Sequence, residues 1–289
     1  MRPVTYTAVL FLIYLLSPSV LFAQQGVSYK ILDTKTRKTI STAELVRQLK
    51  ETDVLVFGEE HTDTAGHRLE ADIFERMLKS YPSSALSLEM FSTDVQPVLD
   101  EYLAGLISEK NFIKESRAWA NYKDYQPLVE LARLNHTAVI GANVASRYSN
   151  AVSLGGLEKL NTFPAGSKSF LPPLPVDTAT GRYLEKFTET LGGHDMGGMK
   201  IYQTQNLWDA SMAWSVVKHT RLARRQKVFH INGRFHSDEK LGMIAQLKKY
   251  APKLKVASIS CFSAKDFSTP DWEHYLALAD YVIVTASGK

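Results

Sequence analysis

The feature that most limits what this chain can become is a series of short apolar runs separated by helix-length stretches. The runs are Asp53 to Phe57, Ala85 to Leu88, Ala138 to Gly141, Lys227 to Ile231, Lys255 to Ser260 and Tyr281 to Thr285. Five of these six are rich in Val, Ile and Leu over four to six residues, as strands covered on both faces are. Helical patterns lie between most of them. That order predicts an α/β fold, a mostly parallel β-sheet with right-handed helical crossovers. Ahead of the first run, Val27 to Ile40 reads as a hairpin, with Tyr29, Ile31 and Ile40 flanking a Lys/Thr-rich turn. Ser41 to Glu44 then has the S-x-x-E spacing of a capping box, opening a helix through Leu49.

Composition narrows the class further. With 45% hydrophobic and 22% charged residues the chain is not a disordered one, and a single cysteine excludes a disulfide scaffold. A net charge of +4 is too slight to imply nucleic acid as a partner, because a charge-driven binder carries a strongly basic stripe. At the N-terminus Arg2 is the only charge before an apolar run from Ala8 to Phe22, which ends at Ala23. This pattern reads as a secretory signal peptide over residues 1–23, leaving 24–289 as one α/β domain of an exported protein. Cys261 then stands alone and has no internal disulfide partner.

One stretch breaks the alternation. More than eighty residues separate the strand ending near Asn143 from the one beginning at Lys227. This segment, about 145–226, is expected to be an inserted helical subdomain, with helices from about Thr178 to Leu191 and Ile201 to Arg225 joined by a Gly/Met/His loop. Open α/β sheets bind ligands outside the carboxyl ends of their strands. An insertion after a strand end is therefore placed to act as a lid.

The carboxyl ends of the expected strands carry the strongest chemical signal. One runs into Gly58-Glu59-Glu60-His61 and a later one into Gly233-Arg234-Phe235-His236, both G-x-x-H, and a third ends in Leu88-Glu89. Residues two apart on an extended segment point the same way. Glu59 and His61 therefore share a face, and Glu60 turns from it. Glycine is expected to let the backbone leave the strand sharply. Together His61, Glu59, Glu89 and His236 offer either metal ligands or an acid and a base. On the helix from about Gly66 to Lys79, the apolar face of Leu69, Ile73, Phe74 and Met77 also takes in His67 and Glu70. The long helix of the insert repeats this, placing Gln205 and Asp209 in a stripe with Ile201, Trp208, Met212 and Val216. Polar groups on such faces need partners, and a pocket supplies them.

Several of these segments, in order, resemble the ChaN family of haem-binding, iron-regulated proteins: Asp53 to His61, His67, Leu86 to Phe91, Gln96 to Gly105, Tyr125 to Leu128, His194 to Met199 and Gln205 to Ala213. The resemblance runs from about Asp53 to Ser260. The family is grouped with the Tiki, TraB and erythromycin-esterase families, whose shared signature is the paired G-x-x-H with a strand-end glutamate. Many ChaN relatives have a small residue and Gly before the second histidine, where this chain has Arg234-Phe235.

The resemblance implies haem binding in the periplasm or at the cell surface, in iron acquisition, with an outer-membrane haem or iron uptake receptor as a partner. A haem site needs an apolar slot and a Tyr, His or Met that reaches the iron. His194, Met196, Met199 and Tyr202 lie within nine residues on the Gly-rich loop, and His67, Gln205 and Asp209 are expected to line the same pocket. No C-x-x-C-H is present, so any haem is non-covalent and exchangeable. The other reading is a metal-dependent hydrolase of peptides or esters, with His61, Glu59, Glu89 and His236 as ligands of a divalent ion or as the acid/base pair. The loop favours haem and the convergent His/Glu set favours hydrolysis; a homodimer stays open.

Overall fold

The computed structural model describes residues 28–192 and 198–286. The expected signal segment lies outside the described residues, as do His194 and Met196. The N-terminal hairpin is β1 (Tyr29–Asp33) and β2 (Lys38–Ile40), with Ile31 opposite Ile40. Ser41 Oγ accepts the Glu44 N–H at 3.2 Å and caps α1 (Thr42–Gln48). All six apolar runs are strands: β3 (Val54–Glu59), β4 (Ala85–Ser92), β5 (Val139–Asn143), β6 (Val228–Gly233), β7 (Val256–Ala264) and β8 (Tyr281–Ala286). They form one eight-stranded sheet in the order β2-β1-β8-β7-β3-β6-β4-β5. From β8 to β5 every pairing is parallel, and β1 adds antiparallel to β8.

The helices are α2 (Thr64–Ser80), α3 (Gln96–Leu103), α4 (Glu109–Glu115), α5 (Tyr122–Leu134), α6 (Ser146–Gly155), α7 (Ala165–Lys168), α8 (Arg182–Leu191), α9 (Ile201–Leu222), α10 (Gly242–Tyr250) and α11 (Trp272–Tyr275). The period-2 alternation of the strands sorts them into layers. Leu55 and Phe57 of β3 join Phe229 and Ile231 of β6 beneath Ile73, Phe74 and Met77 of α2 and Leu128 of α5. Val54, Val56 and Val228 face the other way, against Met212, Val216 and Val217 of α9 and Met243 and Leu247 of α10. Burying each such side chain contributes about 1.5–3 kcal/mol. The three-layer sandwich follows from that.

The topology sets the site. β3 leads through α2, on one face, to β4, whereas its neighbour β6 leads through α10, on the other face, across β3 to β7. Adjacent strands whose connections diverge in this way mark the switch point where open α/β sheets hold ligands. The carboxyl ends of β3 and β6 are the two G-x-x-H segments.

The long helix α9 has two halves with different work. Leu207 and Ala210 pack with Tyr148, Val152 and Leu171 of the segment after β5, while Met212 to Val217 lie on the sheet itself. Its second half is thus a sheet-covering crossover helix. α8 begins at Arg182, four residues later than the expected Thr178. The intervening backbone is held by α9 instead, since Asn206 Oδ1 accepts the Ala179 N–H at 2.7 Å and the Tyr202 hydroxyl donates to the Ala179 carbonyl at 2.8 Å.

Candidate functional site

The two glycines of the paired motif make room for each other's segments. A Cβ at Gly58 would stand 2.5 Å from Ser237 Oγ and 2.9 Å from Arg234 Cα, and one at Gly233 would stand 2.7 Å from His61 Nε2. Gly233 has φ −56° and so needs no left-handed conformation. The glycines answer close approach across the β3/β6 pair, not the sharp exit expected from the sequence.

Four groups gather at this edge. Glu59, at the end of β3, is buried; its Oε1 accepts the Tyr125 hydroxyl at 2.7 Å and lies 2.7 Å from His61 Nδ1. Burial alone raises its pKa, but the hydrogen bond with His61 and the His67 ring beside it hold the carboxyl well below the usual carboxylate range. The His61 side chain is 42% exposed. Its ring meets the edge of Trp119 at 5.3 Å between centroids, and the hydrogen bond to Glu59 raises its pKa. Glu89 stands where the β4/β6 ladder stops after Leu88, and its Oε2 accepts the Gly233 N–H at 2.7 Å in place of a backbone partner. Its Oε1 is 3.5 Å from Nε2 of His236. Glu60 turns away as alternation requires, and accepts the Ser263 N–H at 3.1 Å.

His236 is held from behind by α9. Its Nδ1 is 2.7 Å from Asp209 Oδ1 and 2.9 Å from the Gln205 amide, while Tyr183 of α8 donates to Asp209 Oδ2 at 2.6 Å. Burial lowers the pKa of His236, but the Glu89 and Asp209 carboxylates outweigh it and raise the pKa to about 9. Trp208 packs against this ring at 6.3 Å. The structure therefore brings His61, Glu59, Glu89 and His236 to one edge, and adds Gln205 and Asp209 as partners of His236.

The other expected residues fall elsewhere. His67 is buried behind Glu59, its Nε2 2.9 Å from Glu59 Oε2. Met199 is exposed; Tyr202 is half-buried against Phe187 and Tyr183, its hydroxyl committed to Ala179. Among the described residues the atoms that converge closely enough to share a metal ion belong to Glu59, His67 and Glu70, all buried. Of the four ligands expected from the sequence, only Glu59 is in that group. Tyr183 and Trp119 had no sequence signal of their own, because each acts through a partner far away in the chain, and Tyr125 was marked only by the family-like segment Tyr125 to Leu128. Glu70 did have one, its place on an apolar helix face.

Fold and site together define an α/β protein with a histidine–carboxylate centre at the switch point of a parallel sheet. The family model described as haem-binding uptake, Tiki superfamily, ChaN, matches residues 45–247. The match spans more than half of the chain, which belongs to this family. Among solved structures, that of ChaN of Campylobacter jejuni, with cofacial haem binding, is similar in fold: TM-score 0.68 at 21% identity, covering 90% of this chain and 97% of that one. An erythromycin esterase mutant in its open conformation superposes at TM-score 0.49 with 10% identity, over 90% of this chain and 83% of that one. A search of curated proteins finds no significant match.

Proposed function

We propose that this protein binds exchangeable haem at the carboxyl edge of its sheet and serves haem or iron acquisition in the cell envelope. The observation that carries the site is His61. It is a half-exposed imidazole whose Nδ1 is fixed by Glu59, leaving Nε2 as the nitrogen that reaches iron, with Trp119 beside it as an apolar wall. Tyr202 would first have to release Ala179. The cavity between Tyr183, Asp209 and Gly242 has a volume of about 260 Å³. That falls below the roughly 300–1,000 Å³ of enclosed ligand pockets. In this reading haem is therefore set against the open strand edge rather than inside this cavity.

Family membership supports the haem reading, and the apolar segment before Gln24 supports export with cleavage near residue 23. Cofacial haem binding in the Campylobacter jejuni protein supports a homodimer, since two haems face to face need two binding faces. An outer-membrane haem or iron receptor is the corresponding partner. The test is hemin titration followed in the Soret band. A saturable shift is expected, altered by His61→Ala and unaltered by His219→Ala; equal spectra for both variants would remove His61 from the site. His194→Ala and Tyr202→Phe read the contribution of the loop in the same assay.

One observation favours a second reading, hydrolysis. His236 is oriented by Asp209 and presents Nε2 to Glu89, as an acid–base pair requires. Loss of ester or peptide cleavage in His236→Asn is its test.

A further inference from the structure

Behind Glu59, away from the strand-edge cleft, three ligating side chains face one another with little else to bind. Glu70 of α2 is completely buried and neither carboxylate oxygen has a hydrogen-bond partner. His67, one turn earlier, is buried too, and neither ring nitrogen makes an aligned hydrogen bond. Its Nε2 is only 2.9 Å from Glu59 Oε2, yet the N–H is out of line with that oxygen, which has no other partner. Burying such groups unpaired is costly, so orphaned polar atoms in a native core call for a missing partner. The atoms of Glu59, His67 and Glu70 lie within 4.8 Å of one another.

We propose that Glu59, His67 and Glu70 form a buried site for one divalent first-row transition metal ion. Two donors bound at right angles on a six-coordinate ion, each about 2.1 Å from it, stand about 3.0 Å apart. The 2.9 Å between His67 Nε2 and Glu59 Oε2 matches that spacing and explains why the two groups are close without being aligned on each other. Two carboxylates with one imidazole suit Mn²⁺, Fe²⁺ or Zn²⁺ over soft ions, which prefer thiolates. Tyr125 holds the far oxygen of Glu59, as an outer partner of a metal ligand does, and Asp124 Oδ2 stands 3.9 Å from His67 Nδ1, beyond hydrogen-bond distance, at the partly exposed side of the site. Because Glu59 also fixes His61 through Oε1, the ion would set the charge and position of the carboxylate that orients the exposed histidine.

The test uses haem-free, chelator-stripped protein and two probes, Mn²⁺ and Zn²⁺, with bound metal read by equilibrium dialysis and elemental analysis. One equivalent per chain is expected. Glu70→Gln, which keeps the shape of the side chain, should weaken binding at least tenfold, while Glu89→Gln and His236→Asn bind as the wild type does. Pulsed electron paramagnetic resonance of Mn²⁺-loaded wild type, which needs no variant, should show one imidazole nitrogen on the metal. Absence of saturable binding, wild-type affinity in Glu70→Gln, or coupling to two imidazoles would overturn the site. The last would move the ion to His61 and His236. None of these outcomes bears on whether hemin binds at His61.

Discussion

Replacing Asp209 by Asn should make the stability of this protein much less dependent on pH above neutrality. In the folded state Asp209 and Glu89 raise the pKa of His236 to about 9 against the lowering effect of burial. An unfolded histidine titrates near 6.5. A raised histidine binds its proton more tightly when folded, so its contribution is fully present below pH 6.5 and is lost as pH rises through 9. The gap between 9 and 6.5 corresponds to about 3 kcal/mol. Asp209 supplies both a charge and the 2.7 Å hydrogen bond, so its loss should remove more than half of that, about 2 kcal/mol. The assay is urea unfolding of wild type and Asp209→Asn at pH 6 and pH 9.5. The pH-independent loss of the Tyr183 and His236 hydrogen bonds cancels when each protein is compared with itself. A variant whose stability falls between the two pH values as much as the wild type's would refute the argument, because His236 would then owe nothing to Asp209.

Three further outcomes follow from the same geometry. His230 is fully buried and its pKa is lowered to about 3 by burial, so stability should decline as pH falls from 6.5 toward 3, by at most about 5 kcal/mol; His230→Asn should flatten that acid limb in denaturation curves. Gly233→Ala should leave thermal stability nearly unchanged, because the half-exposed His61 ring has room to move, yet alter the hemin spectrum as His61→Ala does; Gly58→Ala, blocked by the Arg234 backbone, should instead cost about 1–3 kcal/mol. Phe229→Ala, between Phe57 at 6.0 Å and Phe74 at 5.9 Å, should cost about 3–5 kcal/mol in chemical denaturation, and a loss under 1 kcal/mol would contradict the packing described.

The amino-acid sequence by itself determined the elements and the chemistry at their ends. Apolar runs covered on both faces specify central strands, the spacing Ser41 to Glu44 specifies a helix start, and alternation places Glu59 with His61 and turns Glu60 away. These are local effects, set by backbone geometry and side-chain period within a few residues. The segment from Thr178 to Gly181 shows where local reading ends, since contacts with Asn206 and Tyr202 replace its expected helix.

What only the tertiary structure decided is adjacency. That β6 lies between β3 and β4 depends on how the crossovers pack, and that insertion places Glu89 on the Gly233 amide and Gly233 under His61. The same holds for Asp209 and Tyr183 behind His236, and for Tyr125 on Glu59, 66 residues away. A sequence records that a buried carboxylate on an apolar helix face needs a partner, as Glu70 does. Which partner it meets is settled by the packing of whole layers, because that choice depends on the summed burial of many side chains and not on the neighbours of any one.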